Sequence, residues 1–597
     1  MIRLPTPARA TRRYRRHAAG LTVVALLAGA CSNDDPAVDT SGTPSTAPVE
    51  TATTTTPTTT TPTTTTGSSR SSSTLAETAE AVATTPTTTT RAAPTTTTTV
   101  TIGAEASLLV DTASGSIRGT ELHGVEAFLT IPYATAPEGE LRWREPQPMA
   151  TWDDTLDATE LGAACAQPDA DFVPGPSFEE DCLTIDVYRP AGTRAGAGLP
   201  VMVWIHGGSL TNGSAHYLDG SKMASQTDTI VVMVNYRLGM LSALALPELS
   251  QESSLQTSGN FALLDQQAAL GWLQTNLDAL GGDPDNVTIG GSSAGGESVC
   301  MHLASPLSEG LFQRAIIHSG AFDTTLSGQP ACATRSAAEN EATSLDYVAA
   351  LGCDGDDRLA CLRAVDTQSL IDADAGRVVG YYVDGVALPE PASDAIAAGR
   401  WNQVPMMIGT SHDEARGVVA VIPGVGYPLD PALYELIVSS LTGGVETEAL
   451  LNRYPLDEYD DPAFALAALA TDAGFACPSL ELQRSMAQFV DVYAWEFNDP
   501  DAPPSDFDGF PSGASHASEV RYLFPRTPAV GELTEQQEQL ADEMIRLWAA
   551  FAADGSPQSD TSPEWPVWQP DAPRTMSLEP GSNRLIDDFA EDHRCDD

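Results

Sequence analysis

The chain has 597 residues and a net charge of −51, with 81 acidic side chains against 30 basic ones. Nearly all the basic residues are Arg, with Lys222 a rare exception. A surface this acidic repels phosphate, which excludes nucleic acid as an expected partner, and a 42% hydrophobic content supplies material for a large buried core.

Residues 1–30 read as a targeting leader outside the fold. Arg3, Arg9, Arg12, Arg13, Arg15 and Arg16 form a basic segment, and Ala18 to Ala30 is an apolar run too short to span a bilayer. The expectation is export, to a secreted form or to the outer face of the envelope. Leu27-Ala28-Gly29-Ala30-Cys31 is similar to the lipobox of bacterial lipoproteins, although Ala28 stands where Leu is usual. Cys31 is therefore a candidate lipidation site and the one route to a membrane, with an ordinary signal-peptide cut nearby as the competing expectation. Thr11-Arg12-Arg13 is a weaker twin-arginine signature.

Residues 31–106 form a linker, dominated from Asp35 to Thr101 by Thr, Pro, Ser and Ala. Such a stretch has almost nothing to bury against the entropy cost of ordering it, so a disordered spacer is expected. Behind a lipid-bearing Cys31 it would hold the domain at 107–597 clear of the surface.

From Ser107 onward the pattern is that of an α/β protein. Leu183–Tyr188, Pro200–Ile205 and Ile230–Asn235 are short β-branched apolar runs, expected as strands buried on both faces. A helix is expected over Asn260–Leu280, a strand over Asn286–Gly290 and a helix over Ala294–Leu303. Val404–Ile408, Val490–Phe497 and the helical run Glu535–Ala553 continue the alternation. Strands alternating with helices over this length predict one large, mostly parallel, doubly wound sheet with insertions. Of the nine cysteines, setting Cys31 aside leaves eight, an even number suited to disulfides in an oxidising compartment. They can pair in roughly a hundred ways, with Cys165–Cys182 and Cys353–Cys361 the local guesses. No CxxC or HExxH occurs, so no metal site is expected.

Gly291-Ser292-Ser293-Ala294-Gly295 is a G-x-S-x-G placed between an expected strand and an expected helix. The glycines suit a tight turn that lifts a serine hydroxyl off the sheet and puts the next amide at a helix N-terminus. Val203-Trp204-Ile205-His206-Gly207-Gly208-Ser209 is a second strand running into a Gly-rich turn. Such a turn presents backbone N–H groups to an oxygen that becomes an anion when an ester carbonyl is attacked. The expected donors are Gly208, Ser209 and Ala294, with His206 structural.

Together these segments resemble the type-B carboxylesterases, the branch of the α/β-hydrolase fold that includes the cholinesterases. The resemblance runs from Ser107 to Cys595. It is carried by Ile131-Pro132-Tyr133-Ala134, Leu141-Arg142-Trp143, Trp152, Glu180-Asp181-Cys182-Leu183, Gly281-Gly282-Asp283-Pro284, Gly310-Leu311-Phe312 and His318-Ser319-Gly320. It implies an α/β-hydrolase fold and a serine ester hydrolase that needs no cofactor, with a small-molecule ester as its partner; the oligomeric state stays open. Ser293 is the implied nucleophile. Gly409-Thr410-Ser411-His412-Asp413-Glu414 resembles the segment that supplies the family's acid, which falls on Glu414, with Asp413 the neighbouring rival. Gly513-Ala514-Ser515-His516-Ala517-Ser518-Glu519 resembles the segment carrying the histidine, which falls on His516. His302, His318 and His412 lack that context. The resemblance also implies disulfides Cys165–Cys182, Cys353–Cys361 and Cys477–Cys595. Cys300 and Cys332 are left over, and a bond between them is only a guess.

Three departures matter. Ser209 replaces the third glycine of the family's turn, which leaves a backbone donor but puts the loop geometry in question. Ser292 replaces the Glu usual before the nucleophile. The loop between Cys165 and Cys182 holds Phe172 and Phe178 but no Trp, so choline esters are a poor guess for the substrate. Amides, carbamates, lactones and thioesters use the same chemistry, and an adhesion protein on the same fold is a further alternative.

Overall fold

Apolar runs with no polar alternation have to be covered on both sides, and the sheet of this protein is built from them. The computed structural model describes residues 108–170, 175–322, 329–422, 425–442, 444–503, 509–525 and 531–595. The leader at 1–30, the linker at 31–106, Cys31 and Phe172 lie outside the described residues.

The strands among the described residues are β1 (Leu109–Thr112), β2 (Gly115–Arg118), β3 (Thr120–Leu122), β4 (Val125–Pro132), β5 (Leu156–Asp157), β6 (Thr184–Pro190), β7 (Leu199–Ile205), β8 (Ile230–Val234), β9 (Gly282–Ser292), β10 (Arg314–His318), β11 (Met406–Ser411), β12 (Val492–Phe497), β13 (Thr575–Leu578) and β14 (Arg584–Ile586). β1, β2 and β5 form a small sheet, and the others form one 11-stranded sheet in the order β14-β13-β12-β11-β10-β9-β7-β8-β6-β4-β3. Every pairing from β8 across to β13 is parallel. The remaining pairings of the 11-stranded sheet are antiparallel.

Period-two alternation in β7 and β8 separates two cores. Val201, Val203 and Ile205, with Ile230, Val232 and Val234, join the core that includes Leu263, Leu270, Leu273 and Leu277 of helix α1 (Phe261–Leu280). Met202, Trp204, Val231 and Met233 join the core that includes Leu540, Met544, Leu547, Trp548 and Phe551 of a helix at Glu535–Asp554. Burying a side chain of this size contributes roughly 1.5–3 kcal/mol, so a one-residue slip of β7 would exchange the contents of both cores. The Glu535–Asp554 helix starts at a capping box in which Thr534 and Gln537 satisfy each other's backbone N–H. A third apolar cluster joins helices Pro431–Leu441 and Pro462–Thr471, in the insertion between β11 and β12.

β9 differs from its expectation. It starts at Gly282, which pairs with Leu199, and the ladder then shifts so that Val287 faces Val201. The turn-forming Asp283-Pro284 is absorbed as an irregularity inside the strand and does not end it. Four disulfides tie the fold: Cys165–Cys182, Cys300–Cys332, Cys353–Cys361 and Cys477–Cys595. The Cys300–Cys332 bond, only guessed at from sequence, links the helix that follows Ser293 to the segment after β10.

Candidate active site

Ser293 stands between β9 and helix α2 (Ala294–Ala304) with φ 59° and ψ −127°. A non-glycine residue in this region costs about 1–3 kcal/mol and persists only where neighbours hold it. Here its N–H donates to His318 O at 2.9 Å and its carbonyl accepts from Glu297 N at 2.9 Å. Two glycines let the backbone close in. A Cβ on Gly295 would lie 2.0 Å from Ile205 O, so α2 seats on the end of β7 only without one. A Cβ on Gly207 would lie 2.6 Å from Ser292 O and 3.0 Å from Ser293 Cβ, which puts the turn after β7 directly against the serine.

That turn holds Gly208, Ser209 and Leu210 at φ 113°, 56° and 57°. Ser209, standing where the family has glycine, adopts the left-handed conformation all the same. Gly208 O accepts from Thr211 N and Asn212 N, both at 3.0 Å, which closes the turn. Among the described residues nothing accepts a hydrogen bond from the amides of Gly208 or Ser209. The Ala294 amide opens α2 and so has no partner within the helix. These unpaired amides lie on the two turns that meet at Ser293, and amides of this kind can receive a negative oxygen. His206 is buried, and that burial pushes its pKa down to about 4. Its ring stacks on Tyr236 at 4.3 Å, and Tyr236 donates to His206 O at 2.6 Å. It supports the turn from behind.

Glu414 and His516, 102 residues apart, meet with His516 Nδ1 2.5 Å from Glu414 Oε2. The other carboxylate oxygen accepts from Ser319 Oγ at 2.5 Å, Thr410 Oγ1 at 2.6 Å and Ser411 N at 2.7 Å. Burial favours the neutral acid, but the His516 charge and the hydrogen bonds from His516, Ser319 and Thr410 outweigh it, so the Glu414 pKa lies below the usual carboxylate value. Burial likewise disfavours a charged His516, yet Glu414, helped by Glu519, raises its pKa above the ordinary 6.5. The two shifts have the signs of one ion pair. The rival Asp413 is engaged elsewhere, 2.8 Å from Arg416 and accepting from Ala514 N at 3.1 Å.

A short path of bonds connects this pair to the serine. Ser293 N reaches His318 O, and Ser319, the next residue, binds Glu414, which binds His516. Among the described residues no hydrogen bond runs from Ser293 Oγ to His516. Such contacts are commonly long before substrate binds and tighten in the Michaelis complex.

The remaining histidines have other work. His302 lies between Ser308 Oγ at 2.9 Å and Gln266 Oε1 at 3.1 Å, and burial pushes its pKa down to about 3. His318 accepts from Trp548 Nε1 at 2.8 Å through Nε2, so its proton sits on Nδ1, 3.2 Å from Glu519 Oε1. His412, Glu496 and His593 are close enough to suggest a metal site. Both ring nitrogens of His593 are taken, however, Nδ1 by Asp472 and Nε2 by Glu496, each at 2.7 Å. Burial opposes its charge, but those two carboxylates push its pKa up to about 10, which makes the cluster an ion network around an imidazolium.

Sequence reasoning assigned no part to Glu519, Ser319 or Thr410. Glu519 is fully buried and touches Ser292 Oγ at 3.2 Å, His318 Nδ1 at 3.2 Å and Ser411 Oγ at 3.3 Å. It is a buried acidic group bonded to the serine turn, in a chain that carries Ser292 where the family has Glu. The available signal was its place three residues after His516.

A family model described as the carboxylesterase family matches residues 106–596. The chain belongs to the carboxylesterase family. It is a type-B carboxylesterase, an enzyme of a family that acts on small ester substrates. It is 33% identical over 494 residues to the para-nitrobenzyl esterase of Bacillus subtilis (strain 168), covering 79% of this chain and 94% of that one. It is also 33% identical over 501 residues to a cocaine esterase of Oryctolagus cuniculus, covering 78% and 91%. A solved PNB esterase superposes with a TM-score of 0.67 at 31% identity, covering 81% of this chain and 98% of that one. The sheet is accordingly that of an α/β-hydrolase.

Proposed function

We propose that this carboxylesterase works through a Ser293–His516–Glu414 triad, an acyl-enzyme on Ser293 and an oxyanion hole made by the amides of Gly208, Ser209 and Ala294. The carrying observation is the Glu414–His516 pair, bonded at 2.5 Å, next to a strained serine turn flanked by unpaired amides. His516 Nε2 removes the Ser293 proton as Oγ attacks the ester carbonyl. The carbonyl oxygen becomes an anion and the three amides receive it. Glu414 keeps the His516 proton on Nδ1 and stabilises the imidazolium. His516 then protonates the departing alcohol, and water activated by the same imidazole releases the acyl group. With p-nitrophenyl acetate as probe, turnover of the ester and none of p-nitroacetanilide is the expected result. Anilide cleavage at a comparable rate would favour the amidase alternative.

The general base must be neutral. A pKa held above 6.5 by Glu414 therefore means that kcat/KM is full at higher pH and is lost as pH falls through that raised value. The acid limb of the pH profile is expected above 6.5, and it should move downward in Glu414→Gln, where the carboxylate charge is gone. A limb unchanged by that substitution would separate His516 from Glu414.

The same proposal includes export. The Arg-rich leader and the apolar run that follows it support this, as does the complete pairing of the eight cysteines from Cys165 onward into disulfides, which persist in oxidising compartments. Lipidation of Cys31 is read directly from the mass of the mature N-terminus.

A further inference from the structure

We infer that Gln167, carried on the Cys165–Cys182 loop, is a positioning residue for the oxyanion turn; this rests on the reading of Gly208 and Ser209 given above. Gln167 is 1% exposed, and its side-chain amide is fully used. Nε2 donates to Gly213 O and to Cys165 O, both at 2.9 Å, and Oε1 accepts from Gly213 N at 2.9 Å. The side chain thus pairs with Gly213 through its N–H and C=O together, as a neighbouring strand would. The backbone of Gln167 is itself fixed, exchanging hydrogen bonds with Ser177 at 2.9 and 3.1 Å across the disulfide loop.

Gly213 is where the turn can be held. It lies so close to the start of the turn that a Cβ there would fall 2.4 Å from His206 Nδ1 and 2.5 Å from Gly207 O. The residues between are locked by the bonds from Thr211 and Asn212 to Gly208 O. Ser209 and Leu210 are both non-glycine residues in the left-handed region, a conformation that relaxes unless its surroundings over-determine it. Downstream, Asn235 Oδ1 accepts from Ala215 N at 2.8 Å and Ser214 Oγ at 2.9 Å. Leu210 O accepts from Gly239 N at 2.7 Å within the turn, and Gln167 supplies the anchor at Gly213. It touches neither Ser293 nor His516, so its effect reaches the reaction only through the direction of the Gly208 and Ser209 amides. Those amides meet the oxyanion in the transition state, so the loss belongs in kcat more than in KM.

The test uses the full chain with Gln167→Met, which keeps the side-chain length and removes its hydrogen bonds, and with Gln167→Leu as a second variant. Active sites are titrated with a fluorophosphonate, so that only folded enzyme is counted. With p-nitrophenyl acetate, kcat per titrated site is expected to fall about 10- to 100-fold while KM moves less than about threefold. Affinity for a trifluoromethyl ketone, which forms an anionic tetrahedral adduct, is expected to fall in parallel with kcat/KM. A kcat per site within about twofold of wild type in either variant, with ketone affinity unchanged, overturns the inference even if melting temperature drops. Turnover within about tenfold of wild type in Ser293→Ala, made in the otherwise wild-type chain, would instead remove the triad reading beneath it.

Discussion

Ser293→Ala is expected to lower kcat on p-nitrophenyl esters by about 10⁶, the scale of losing a triad nucleophile. The serines beside it on β9 and after β10 are already engaged. Ser292 Oγ is buried and bonded to Glu519, and Ser319 Oγ is committed to Glu414. A residual rate above that in water, about 10³-fold or more, should persist, because the amides of Gly208, Ser209 and Ala294 remain to polarise a bound ester. The variant should fold, since alanine removes one oxygen and leaves Gly295 seated against Ile205 and the Ser293 amide bonded to His318. Circular dichroism checks the fold, and single-turnover kinetics checks the rate. Activity within about tenfold of wild type would end the covalent mechanism.

The second large effect is expected at Glu414. Glu414→Gln keeps the size of the side chain and its acceptor for Ser319, Thr410 and Ser411, but it can turn an N–H toward His516 Nδ1. His516 would then carry its proton on Nε2, where it cannot accept one from Ser293. The expected loss in kcat is about 10⁴ with KM little changed. Asp413→Asn should stay within about tenfold of wild type, because Asp413 pairs with Arg416 and not with His516. Reversal of that order would move the acid to Asp413.

Much of this could be read from the chain. Strands such as β7 and β8 were legible because a sheet covered on both faces needs continuous apolar runs, and the two serine-turn glycines because close backbone approach admits no other residue. The Glu414–His516 pair was reached through resemblance, since no periodicity links residues 102 positions apart. What stayed hidden depends on contacts made only after folding. Glu519 and Ser319 sit within quoted motifs, yet their bonds to Ser292 and Glu414 join segments distant in sequence. Gln167 follows Cys165 closely but acts on Gly213, 46 residues on. β9 starts at Gly282 and not at the expected Asn286, because Asp283-Pro284, turn formers in the sequence, sit within an irregular first part of the strand.

Covalent labelling of the wild-type chain with a fluorophosphonate, followed by mass spectrometry of the modified peptide, bears most directly on the claim that one serine is made nucleophilic by one histidine. The expected result is a single adduct on Ser293, formed rapidly in wild type and at least about 10³-fold more slowly in His516→Ala. An adduct on another residue, or labelling of Ser293 at the same rate without His516, would contradict it.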